Sequence, residues 1–118
     1  MARPTRLMRL GINVCGLLLL WSSTIGARAA EPVPTQFQGA NLIQGKKEYT
    51  DLKCAACHAE RMMGSTSAMY TRPDRKVHNP KQLLAFTQMC VTQLNKELFP
   101  EEVKDIAAYL NQTYYKFK

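Results

Sequence analysis

The stretch Cys54-Ala55-Ala56-Cys57-His58 limits what this chain can fold into more than any other. Two thiols separated by two residues, followed at once by an imidazole, suit few chemistries. A redox dithiol sits at a helix start beside an alternating strand–helix pattern, and the chain has no such pattern. A zinc site takes four ligands, usually from two paired clusters, and only Cys90 and His78 remain to complete one. A disulfide across two residues is strained and leaves the histidine without a reason. C-x-x-C-H is also the spacing of covalent haem attachment. There the two thiols add to the two vinyl groups on one porphyrin edge, and the imidazole ligates the iron. Small spacer residues let the backbone lie close to the ring edge. Cys54 and Cys57 are therefore the expected attachment residues of one haem c, and His58 its expected proximal ligand.

The N-terminal segment agrees with that reading. Arg3, Arg6 and Arg9 come without any acid, an apolar run extends from Leu10 to Trp21, and Ala27-Arg28-Ala29 fits a small-x-small cleavage pattern. This is the order of a secretory signal, and the run is short of the roughly 20 residues of a membrane span. Haem attachment of this kind takes place outside the cytoplasm in bacteria, so leader and motif together point to the periplasm. The expected organisation is a signal peptide over residues 1–29, a flexible tail over 30–40 and a haem domain over 41–118. The rival is an uncleaved N-terminal anchor. Cys15 stands at the front of the apolar run, the wrong place for lipidation after cleavage, and is read as discarded.

Cleavage after Ala29 leaves 89 of the 118 residues, enough for one small domain that needs a staple or a cofactor. It also removes Arg3, Arg6, Arg9 and Arg28 from the 16 bases, leaving 12 against nine acids, a net charge of +3. No basic cluster with interleaved aromatics remains to argue for nucleic acid, and no stable membrane insertion is expected after cleavage.

The flanks read as helices. Before the motif, Asn41 can cap a helix carrying Leu42, Tyr49 and Leu52, with Gly45 four residues before Tyr49. Gly45 costs a helix about 1 kcal/mol against alanine, which a closely crossing helix would offset. The C-terminal segment supplies one: Pro100, Glu101 and Glu102 suit a first turn, and Val103, Ile106, Ala107, Leu110 and Tyr114 form an apolar stripe. Ala107-Ala108 offers a small surface for Gly45, and Tyr114 is expected to pack inward. A third helix is predicted from Asn79 or Pro80 to about Glu97. Between Ala59 and His78 there is no long period, which reads as a loop with at most one short turn. There are no strand pairs and no repeat, so the class is all-α.

G-x-x-x-Y, then C-x-x-C-H, then a last helix with Ala107-Ala108-Tyr109-Leu110 resembles a class I c-type cytochrome with one haem, over about Asn41 to Tyr115. The resemblance implies a cytochrome c-like fold of three main helices around the haem, with the first and last crossing near Gly45, Tyr49, Ala107 and Tyr109. The stretch FTQMCVTQL ahead of EEVKDIAAYL is more similar to the sphaeroides haem protein group, which places its distal residue on a helix beside a disulfide-bonded cysteine. Leu98 stands where the second cysteine of that bond would be. Small cysteine-ligated cytochromes, in sulfur-oxidation complexes and in a heterodimer of anaerobic ammonium oxidisers, are also similar.

The sixth position on the iron is therefore the open question. Cys90 shares a helical face with Leu83, Thr87 and Leu94, while Met89 is turned about 100° away. Cys90 is the expected distal ligand, with Met89, another methionine or an open or water-ligated side as alternatives; a thiolate would give a low potential. A buried, inert Cys90 is the plain structural reading. Met62 and Met63 follow His58 closely and belong to its side, Met69 could reach the distal face only if the loop wraps round, and His78 reads as a helix-start residue.

These residues imply a non-enzymatic electron carrier that passes single electrons between redox partner proteins, with Lys46, Lys53, Lys76 and Lys81 steering it toward acidic surfaces. The alternative is a haem protein that binds NO, CO or a sulfur species, or a redox subunit of a heteromeric complex. An unpaired Cys90 could also bridge a homodimer or a heterodimer.

Overall fold

In the computed structural model, Gly26 and residues 29–118 are described. The expected signal peptide, Cys15 included, lies almost wholly outside them. The described chain is helical and contains no strand. A 3-10 turn at Thr35–Phe37 precedes five α-helices: α1 (Leu42–Asp51), α2 (Cys54–Arg61), α3 (Ala68–Thr71), α4 (Pro80–Gln93) and α5 (Pro100–Leu110), the last running into a π turn over Asn111–Tyr115. None of the described helices is long and apolar enough to cross a membrane.

Local chemistry sets most of the boundaries. The Asn41 side chain accepts from Gln44 N at 3.0 Å and caps α1, and Asn79 does the same for Gln82 N at 2.9 Å at the start of α4. Pro80 and Pro100 occupy first-turn positions, where a missing N–H is harmless. Glu102 accepts from Phe99 N at 2.7 Å and closes the start of α5. The third helix stops at Gln93, short of the expected Glu97. Asn95 there takes a φ of 53°, a left-handed conformation that asparagine tolerates and that ends a helix.

The centre of the molecule is α5, packed against α1 on one side and α4 on another. That double contact buries more of it than one stripe: Val103, Asp105, Ile106, Ala107, Ala108 and Leu110 are all buried. Gly45 is where α1 meets it. A Cβ built there would collide with the backbone carbonyl of Asp105 and stand 3.0 Å from Ile106 N. The close approach is thus to the Asp105–Ile106 peptide, not to the small side chains of Ala107 and Ala108. Asp105 reaches back across the same crossing: its Oδ1 accepts from Asn41 N at 2.8 Å, placing a carboxylate at the positive end of α1.

One expectation is corrected here and another extended. The 30–40 stretch, read as a flexible tail, seats Phe37 in the core at 2% exposure. At the other end Tyr114 packs against the core as expected, half-buried, and its neighbour Tyr115 is buried more deeply. The π turn causes this, because a wider turn shifts the phase of the face that α5 presents. Asn111, itself buried, pins the end by accepting from Phe117 N at 2.9 Å and donating to its carbonyl at 3.2 Å.

Candidate functional site

The C-x-x-C-H motif is helical. Cys54, Cys57 and His58 stand at positions i, i+3 and i+4 of α2, the spacing that puts three side chains on one helix face. The chain enters this helix through Lys53 at φ 54°, ψ 36°, a left-handed conformation that costs a lysine roughly 1 kcal/mol. α1 ends only two residues earlier, so the crossing at Gly45 positions α2 almost directly.

All three side chains face one cavity of about 390 Å³, within the roughly 300–1,000 Å³ typical of cofactor and ligand sites. α2 forms one wall. α4 forms the opposite wall with Leu83, Phe86, Thr87, Met89, Cys90 and Leu94. Ile106 and Leu110 of α5, Tyr49 of α1, Val77 and Met69 close the rest, and Arg61, Arg72, Arg75 and Lys76 contribute cations.

The two distal candidates separate. Both border the cavity, but Met89 is 44% exposed, whereas Cys90 is half-buried. The core-facing line of α4 is Leu83, Thr87 and Val91, with Cys90 one residue off it and Leu94 at the cavity's edge, 37% exposed. Cys90 sits close enough to the motif that charge on Cys57 disfavours charge on it. Burial is the larger influence and pushes its thiol up, and Arg61 opposes both. Cys54 is pushed up to about 11, mainly by burial and then by Cys90. The three described cysteines are free thiols.

His58 is held on its inner edge. Tyr70, from α3, hydrogen-bonds through its hydroxyl to His58 Nδ1. The same hydroxyl lies 3.2 Å from the hydroxyl of Tyr49. Burial, and then Arg61, holds the imidazole below its ordinary pKa, so it is neutral at pH 7. Nε2 has no protein partner among the described residues. Behind Tyr70 lies an aromatic group: Tyr114 stacks on it at 4.8 Å and 27°, Tyr115 meets it at 5.8 Å, and the Arg75 guanidinium lies 5.5 Å from the Tyr115 ring centre.

Of the remaining methionines, Met62 and Met69 border the cavity and Met63 is fully exposed. Met62 Sδ lies 3.9 Å from a guanidinium nitrogen of Arg72. His78 is exposed at the start of α4, its backbone N–H donating to Gln82 Oε1 at 2.8 Å, and takes no part in the cavity. Lys46, Lys53, Lys76 and Lys81 are exposed. The sequence pattern did not single out Tyr70, Arg61, Arg72 or Arg75 as cavity residues. Tyr70 lies twelve positions after His58 in a stretch without period, and only the fold brings the two together.

The donor set suits a covalently bound haem. Two thiols share one helix face, a neutral imidazole beside them has one nitrogen anchored and the other unengaged, and a largely apolar cavity lies in front. Among the described residues no three His, Cys, Asp or Glu side chains are grouped closely enough to hold a metal ion by themselves. Compared with known proteins, the chain matches no family model, no curated protein and no solved structure.

Proposed function

We propose that the protein is a periplasmic, class I-like c-type cytochrome that carries single electrons between partner proteins. The observation that supports this most directly is the shared face of α2, from which Cys54, Cys57 and His58 all border one cavity. Cys54 and Cys57 would hold the haem through thioether bonds, His58 Nε2 would ligate its iron on one side, and Cys90 Sγ is the favoured ligand on the other. The haem supplies reversible one-electron exchange at its iron; the protein supplies position and surroundings.

The chain's own residues have definite tasks in this reading. Tyr70 and the neutral state of His58 fix which imidazole nitrogen is presented. Leu83, Phe86, Val77, Ile106 and Leu110 exclude water, which keeps the local dielectric low and strengthens every charge interaction inside. Burial, and then Cys57, push the Cys90 thiol up, and Arg61 offsets part of that. The exposed lysines favour encounter with acidic partners.

The test is to produce the full chain in a bacterial host that attaches haem outside the cytoplasm. The intact mass should rise by one haem, and haem colour should survive a denaturing gel. Cys54→Ala and Cys57→Ala should each lose a thioether bond. A purified chain that carries stoichiometric zinc and no covalent haem would overturn the proposal.

A further inference from the structure

We propose that Tyr70 is a positioning residue for His58, and that a directed chain of hydrogen bonds from His58 through Tyr70 to Tyr49 sets the electron-donating strength of the imidazole. This inference rests on the haem reading above and extends it to residues that the attachment motif does not contain.

The observations are geometric. Tyr70 is 3% exposed, and its hydroxyl is bonded on one side to His58 Nδ1 and lies on the other 3.2 Å from the Tyr49 hydroxyl. Its ring cannot easily swing away. Tyr114 is stacked on it, and the His58 ring meets it edge-on at 5.0 Å between centres. Among the described residues no buried side-chain nitrogen or oxygen lacks a partner; the Tyr70 hydroxyl has two, His58 and Tyr49, and the Tyr49 hydroxyl has Tyr70.

Elementary donor counting then gives the chain a direction. A neutral imidazole that ligates a metal through Nε2 carries its proton on Nδ1, so Nδ1–H donates and the Tyr70 oxygen accepts. The Tyr70 O–H must find its own acceptor, and the one in reach is the Tyr49 oxygen. Each bond strengthens the next, because an oxygen whose own proton is drawn away is a better acceptor. The imidazole gains negative character and favours the more positively charged, ferric state of the iron it ligates. Tyr49 stands on α1 against Tyr109 of α5, with ring centres 5.5 Å apart, so the end of the chain is anchored in the central helix crossing.

The test uses the haem-loaded full chain, with Tyr70→Phe and Tyr49→Phe beside the parent. Phenylalanine keeps the ring and removes the hydroxyl. Covalent haem is first quantified in each sample; if the parent carries none, the haem reading fails and with it this inference. With haem present, midpoint potentials are measured by optical titration, and the iron–histidine stretch by resonance Raman. Tyr70→Phe should shift the ferric/ferrous ratio about fivefold toward ferrous, an upward move of about 40 mV at 59 mV per tenfold, and lower the iron–histidine frequency. Tyr49→Phe should move both readouts in the same direction by less. A merely structural hydroxyl would lower the melting temperature and leave potential and frequency where they were, which overturns the proposal. If Tyr70→Phe does not fold, Tyr49→Phe decides alone, and an unchanged potential in it overturns the proposal equally.

Discussion

On the α2 wall of the cavity, Cys54, Cys57 and His58 follow one another at i, i+3 and i+4, and the imidazole among them is hydrogen-bonded from behind. On the α4 wall, Met89 and Cys90 are adjacent in sequence yet differ in surroundings, one 44% exposed and the other half-buried. The difference lies in what specifies each wall. A helix of any kind presents the motif of α2 as a stripe, so its local sequence suffices. Which residue α4 turns inward depends on the rotation of a whole helix against α5, and one residue step is about 100°.

The largest expected effect comes from loosening the joint under one wall only. Gly45→Ala would drive a methyl group into the Asp105 carbonyl and force α1, and α2 behind it, away from α5. Overpacking against backbone should cost about 3 kcal/mol or more. Hydrogen exchange should show protection falling first in α1 and α2 while α4 keeps more of its own. Uniform loss across both walls would show that the walls are not separately supported.

The next effect tests the α4 wall. In the haem-loaded protein, Cys90→Ala should abolish thiolate features in the absorption and EPR spectra and raise the potential, by roughly tenfold or more in the ferric/ferrous ratio. Met89→Ala should change both less, since its side chain is the more exposed of the two at 44%. The reverse result would mean that α4 is rotated by one residue relative to its packing here.

A smaller effect, again on the α2 side, is expected at Asp105. Replacing it with alanine leaves Asn41 N without its acceptor and α1 without a carboxylate at its positive end, a loss of about 1–2 kcal/mol by denaturant titration.

The last effect is confined to high pH. Tyr115 is pushed up to about 12, chiefly by burial, with Arg75 opposing. A raised acid binds its proton more tightly in the folded chain than in the unfolded one, where tyrosine titrates near about 10. Its contribution is therefore complete below pH 10 and lost as pH climbs toward 12. Denaturation midpoints followed across that interval should fall, and Tyr115→Phe should flatten the fall.

Much of the scaffold could be read from local signals. Asn41, Asn79 and the two first-turn prolines mark helix starts, and Gly45 four residues before Tyr49 marks a crossing, because each acts through its immediate neighbours. What could not be read depends on distant parts of the chain. Phe37 looked like part of a proline-bordered tail until α4 and α5 gave it a place to be buried. The π turn buries Tyr115 beside Tyr114, and nothing in the three- and four-residue stripe announces a wider turn. Tyr70 meets His58 only because α3 folds back, and no spacing rule links residues twelve apart across a loop. Gly45 was readable as a close contact, but its partner, a carbonyl and not a small side chain, was not.

The burial of Phe37 also has a consequence for reach. Only eight Cα-to-Cα steps separate Ala29 from Phe37, whose side chain is held in the core. Fully extended they span at most about 28 Å. Anything joined to the chain at Ala29, whether a retained leader, a surface to which the protein is immobilised or a fused domain, holds the cavity on a short leash. An electrode attachment made there would keep the site within about one domain diameter of the surface and restrict how it can turn, whereas the same attachment through a long flexible spacer would not.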